Sequence, residues 1–400
     1  MTVRRAAPVL AGLAAAVVLA GCATGPTGTP GAAAAKGTPS VRATSGITPD
    51  GTLLVADFGG DTVTFVDPER GAFDRVEVGT APYGLVVGAD CRAWVATAEG
   101  VAVVDTRTRT RQARIPYGTE TGPVTTGEYR GGGMGIALAP DGRRVYVGVN
   151  VPDASGVLEV IDTETREVTG AARVGRRPFD VDVSPDGAEV YATGHDSFDV
   201  TSVRTDTLRT RRMEVAPYGT AGGLGSWLKP HYAVVRPGDG KLLLPFEGER
   251  LAVLDPRTGE VAVERMTANT HQHGATMAPD GTLLVVGTGP IASDDEDASL
   301  TVRKPGGTER VVELDGPHED VTVSQDGRTA YVTGGFTRDG YWNGITVVDL
   351  AGATPPVRLA AGERPLGIVV LRRPDGPAPP VPPDSDIPHI GSPVWITDPR

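Results

Sequence analysis

Five of the chain's six histidines fall between residues 195 and 318: His195, His231, His271, His273 and His318. A neutral imidazole nitrogen is a borderline ligand that suits zinc, copper, iron or nickel. Glu319 and Asp320 follow His318 directly. A carboxylate there can ligate, orient a ligating imidazole or act as a base. A metal held by such a set would make a nucleophilic water or polarise a carbonyl. The residue types therefore predict a divalent transition metal, copper or zinc. Its ligands would be His195, His231, His271, His273 and His318, with Glu319 and Asp320 in catalytic roles. The histidines are scattered in sequence, so a repeating framework must bring them together.

That framework is a repeated phrase. An apolar strand runs into Pro-Asp-Gly or a near variant, and a second strand follows. Copies begin at Thr48, Ala139, Ser184, Ala278 and Ser324. Gly238-Asp239-Gly240 serves the fifth unit, and Asp90-Cys91 a degenerate second. Asp-Gly between strands is a hairpin signal, with Gly in the left-handed corner. A third strand ends in Val-Asp or Ile-Asp, as at Asp67, Asp105, Asp162 and Asp349, and a more polar fourth strand follows. A period of roughly 40–50 residues with short strands predicts a propeller. The fold class is all-β, seven blades of four antiparallel strands. Pro365–Val370 is an inner strand without followers and the first unit lacks one, so the two should join and close the ring.

The register then places the chemistry. Loops entering each innermost strand share one face with the loops joining strands two and three. His231 enters blade five, His271 and His273 blade six, and His318 blade seven. His195 lies in the second-to-third loop of blade four. Aligned on the turn, His231, Gln272 and His318 share one slot, and Tyr232, His273 and Glu319 the next. These imidazoles are expected to converge at the channel mouth. Tyr83, Trp227 and Arg364 approach the same mouth as ligand-binding residues. Two long connections, 117–133 and 216–231, enter that face as binding lids.

Val190-Tyr191-Ala192-Thr193-Gly194 and Tyr331-Val332-Thr333-Gly334 resemble the YVTN-type bacterial propellers, including the YncE-like and lactonase-like groups. The resemblance covers most of residues 47–371. It implies the fold strongly and leaves the activity open, because propellers host many functions. Leu19-Ala20-Gly21-Cys22, after Arg4, Arg5 and a short apolar run, resembles the bacterial lipoprotein signal. It implies cleavage before Cys22, acylation of that thiol and anchoring at the extracytoplasmic face of the bacterial cell membrane.

The domain reading is thus a signal peptide over 1–21, a flexible tether over 22–46, the propeller over 47–371 and a Pro-rich tail over 372–400. Loss of 1–21 removes Arg4 and Arg5 and no acid, so the formal charge of −12 becomes −14. Such a surface argues against nucleic acid as a partner. Only Cys91 accompanies Cys22, which excludes a disulfide framework. No Gly-Lys-Ser/Thr phosphate loop or Gly-x-Ser-x-Gly elbow occurs.

Three functions follow as expectations. The first is a monomeric, lipid-anchored propeller that binds a transition metal or small ligand at its His-rich mouth. The second is a metal-dependent enzyme that opens a lactone or other cyclic ester, as hydrolase or lyase. The third is a scaffold for an envelope protein.

Overall fold

The computed structural model describes residue 48 and residues 51–215, 229–246, 248–290, 296–335 and 341–372. Among them are 28 strands in seven four-stranded antiparallel sheets. Each sheet is a blade, and consecutive blades follow one another in sequence. The exception is the closure. Pro365–Val370 pairs antiparallel with Leu53–Asp57, so the chain's last described strand becomes the inner strand of blade one. Blade one thereby has four strands like the other six.

The repeat works because its turn residue is left-handed. Gly51, Gly142, Gly187, Gly240, Gly281 and Gly327 all have φ between +70° and +81°. Cys91 takes the same conformation, at φ +64°. An L side chain pays a steric cost there, which is why the other six turns use glycine. The thiol is buried and free, on the face opposite the histidines. Between blades the core is aliphatic. Leu54, Phe65, Val95 and Val104 knit blades one and two, and Leu158, Val160, Val190 and Val203 knit three and four.

Near the axis, one register position recurs in every blade. Tyr83, Met134, Phe179, Tyr232, His273 and Glu319 each stand seven residues before the Asp of their turn. Leu366, from the closing strand, packs with Tyr83, Met134 and Phe179. One residue further on, four of the seven positions are glycine. A Cβ on Gly84 would lie 2.8 Å from the Met134 carbonyl, and one on Gly274 2.5 Å from that of Glu319. The inner strands thus approach backbone to backbone. The other positions include Asp180 and Asp320. They line an axial cavity of about 280 Å³ beneath Tyr83, Phe179 and Tyr232.

Candidate metal centre

Four imidazoles meet above that ring. His195 sits just past the strand Glu189–Gly194, where its N–H bonds the Arg177 carbonyl at 3.0 Å. His231 enters blade five. His271 lies between the strands Val261–Thr270 and Gln272–Met277 and is fixed by Gly289 O and Thr288 N. His273 follows on the inner strand of blade six. None of the four is more than 3 % exposed.

Three of them, His231, His271 and His273, form a group that could hold a metal ion, and His195 adjoins it. His195 Nε2 and His231 Nε2 are 3.2 Å apart, and so are His271 Nε2 and His273 Nε2. The His231 and His273 rings stack with centroids 4.2 Å apart and join the two pairs. His231, His271 and His273 each offer a nitrogen such that all three lie within 4.8 Å of one another. Two nitrogens on a tetrahedral metal at about 2.0–2.1 Å are about 3.3 Å apart, close to the observed pairs.

Carboxylates set the tautomers. His195 Nδ1 meets Asp196 Oδ1 at 2.8 Å, and His273 Nδ1 meets Glu319 Oε1 at 2.9 Å. An Nδ1–H donated to a carboxylate leaves the Nε2 lone pair facing the cluster, as metal-ligating histidines do. Burial pushes the His195 imidazole down to about 4, so at neutral pH it is in the ligating form. Burial also acts to raise Asp196, but its partners His195, Lys229 and Arg177 outweigh this and hold it well below the usual carboxylate range. Glu319 is wholly buried. Its Oε1 also accepts from the Tyr232 hydroxyl at 3.1 Å, while Oε2 has no hydrogen-bond partner among the described residues. Such an orphaned oxygen beside imidazoles suits a cationic guest. Tyr129 and Phe179 wall the site, with ring centroids 6.1 Å and 4.5 Å from that of His195.

Other expected residues lie elsewhere. His318 is not in the group. Its Nδ1–H donates to Gly316 O and its Nε2 accepts from Thr346 Oγ1, both at 2.7 Å. Gln272, in the same slot, likewise turns away, to the Gly248 and Ala268 carbonyls. His231 is the exception in that slot. Burial lowers His318 to about 4, as expected for a neutral structural imidazole. His318→Gln should therefore keep metal stoichiometry while losing about 1 kcal/mol of stability with one hydrogen bond, measured by metal analysis and chemical denaturation. Asp320, expected to be catalytic, lies in the axial cavity below the ring, its Oδ1 accepting from Val321 N at 2.8 Å. Tyr83, expected at the rim, is a ring residue only 4 % exposed and stacked on Phe179. Arg364 lies over the Tyr341 ring at 4.0 Å. Trp227 and Cys22 fall outside the described residues. Asp196, Lys229, Arg177 and Phe179 are additions. Phe179 was reachable by counting, since it shares a slot with His273.

No protein-family model matches the chain, and no curated protein matches it. Solved structures do. Hydrazine synthase of Kuenenia stuttgartiensis aligns over 67 % of this chain and 76 % of its own, at 18 % identity and a TM-score of 0.52. Virginiamycin B lyase of Staphylococcus aureus covers 72 % of this chain and 87 % of its own, at 15 % identity and 0.55. A catalytically inactive histidine-to-alanine variant of that lyase, with quinupristin, aligns over 77 % of this chain and 88 % of its own, at 14 % identity and 0.51. A functionally unknown protein of Desulfotomaculum acetoxidans covers 80 % of this chain and 99 % of its own, at 11 % identity and 0.59. At these identities the likeness is one of fold: a seven-bladed propeller.

Proposed function

We propose that the chain is an exported, lipid-anchored propeller of the YVTN type that binds one copper or zinc ion through His195, His231, His271 and His273. The observation that carries this reading is the convergence of four buried imidazoles, two of them backed by carboxylates. Asp196 and Glu319 orient the ligands, and the bound ion would supply a Lewis acid or redox centre at the mouth. Protein produced without a histidine tag should take up one equivalent of zinc or copper in a metal titration. No saturable uptake of either ion would end this reading. Export and anchoring rest on the signal-like Leu19–Cys22 alone. Cys22→Ser should move the protein from the membrane fraction to the soluble one.

The second reading is a metal-dependent enzyme that opens a cyclic ester. The fold likeness to virginiamycin B lyase favours it, because loss of one histidine inactivates that enzyme. Turnover of a lactone panel that disappears with chelator and returns with metal would establish it here.

A further inference from the structure

A cleft of about 560 Å³ adjoins the metal centre. It lies where the outer strand of blade three, Val168–Arg173, passes into blade four. The two sites share a wall. Asp196 accepts from His195 Nδ1 on one side and lines the cleft on the other. The turn that carries His195 and Asp196 is pinned to the Arg176–Arg177 backbone by bonds of 3.0 Å and 3.2 Å. Whatever occupies the cleft therefore sits directly behind a proposed ligand.

The electrostatics of the cleft oppose those of the chain. Arg177 pairs with Asp196 at 2.5 Å and Lys229 pairs with it at 3.0 Å. Arg212 pairs with Asp199. Arg173 and Arg176 line the cleft with no carboxylate partner among the described residues. Three arginines, Arg173, Arg176 and Arg212, thus line the cleft against two carboxylates, Asp196 and Asp199, while Arg177 and Lys229 offset Asp196 from outside it, on a chain of formal charge −12. An isolated surface arginine needs no explanation. Two unpaired guanidiniums in one concave site beside a pair of cations sharing one acid focus a positive field. Guanidinium forks match carboxylate and phosphate oxygens in pairs. The hydroxyls of Ser155 and Thr210 add hydrogen-bonding groups, and Val174 and Phe198 give the cleft an apolar wall.

We propose that this cleft binds the oxyanion group, carboxylate or phosphate, of a small organic ligand, seated directly behind the Asp196–His195 pair of the metal centre. The anion-binding half stands without a metal; its coupling to the centre through Asp196 rests on the metal reading above.

Two probes, inorganic phosphate and glucuronate, should be titrated by calorimetry into the metal-free full chain. At least one should bind, more weakly as salt is raised. The preferred probe identifies which oxyanion the cleft accepts. Arg173→Gln with Arg176→Gln should lower its affinity about tenfold or more, the loss of roughly one charge-assisted contact. Metal stoichiometry should stay unchanged, since neither arginine touches an imidazole nitrogen. Arg176→Lys, which keeps charge but not the fork, should fall between. Failure of both probes to bind, or equal affinity in the double glutamine variant, would overturn the cleft as an anion site. A chain that binds anion and no metal would overturn the metal reading and leave the cleft standing. Coupling is read in the cobalt-substituted protein, where saturating anion behind Asp196 should shift the visible absorption of the ion. An unchanged spectrum would refute that half.

Discussion

Replacing His271 and His273 together by alanine should abolish metal binding and, with it, the metal's contribution to stability. The pair provides two nitrogens 3.2 Å apart, and His273 brings a nitrogen backed by the Glu319 carboxylate. What remains, His195 and His231, is half a tetrahedral site. A ligand that binds only the native state stabilises it by about 4 kcal/mol when present at a thousand times its dissociation constant. Wild-type protein should therefore melt several degrees higher with metal than with chelator, and the double variant should show no difference. The sites come from blades four, five and six, with Glu319 from blade seven, so the ion would tie four neighbouring blades at the mouth. His271→Ala alone separates metal loss from fold damage, because it leaves the His273–Glu319 bond intact. The double variant also takes one of two hydrogen-bond partners from the buried Glu319 carboxylate, at a cost of about 1–3 kcal/mol. If the double variant binds metal stoichiometrically, the assigned ligands are wrong.

The propeller was legible because its signal is local. Six glycines and Cys91 mark left-handed corners, and the strands around them alternate in a way that fixes their faces. Ring closure was legible from a strand with no partner at one end and a vacancy at the other. The centre was only partly legible. Register placed His231 and His318 in equivalent slots, yet it is side-chain direction that decides which joins the group. For His318 that direction depends on Thr346, on the strand Gly344–Asp349, as well as on Gly316 two residues before it. Depth along the axis was equally hidden. Tyr83 and Asp320 stand one register position apart and so at different levels, one closing the channel and the other lining it. Asp196 does carry a sequence signal: an acid directly after a loop histidine, able to reach that histidine's own Nδ1.

Asp320→Asn should make the protein more stable at pH 8 and change it little at pH 4. Burial pushes the Asp320 carboxyl up to about 8, and the neighbouring Asp180 and Glu319 add to the rise against the Val321 N–H. Asp180 is pushed up to about 6 by burial, with the Ala233 and Val181 N–H groups opposing the rise. Asp182 is raised by burial and then by Asp180, and one of its oxygens has no hydrogen-bond partner among the described residues. The residues lining the cavity include no Lys, Arg or His. The sign follows from proton counting. The unfolded chain releases the Asp320 proton near pH 4 and the native state holds it to about 8, so the native state binds more protons throughout that window. Stability from this group is therefore full below pH 4, falls as pH rises from about 4 to 8, and falls no further above. Each pKa unit is worth about 1.4 kcal/mol, which sets a ceiling of about 6 kcal/mol. Because the side chain is only partly buried and the cavity can admit water, we expect about 2 kcal/mol. An asparagine cannot ionise, so its denaturation midpoint should exceed that of the wild type increasingly across this window. Urea melts at pH 4, 6 and 8 would show the two curves diverging. A variant that is less stable than the wild type at pH 8 would mean that the ionised carboxylate is satisfied in the channel, as it would be by a bound cation.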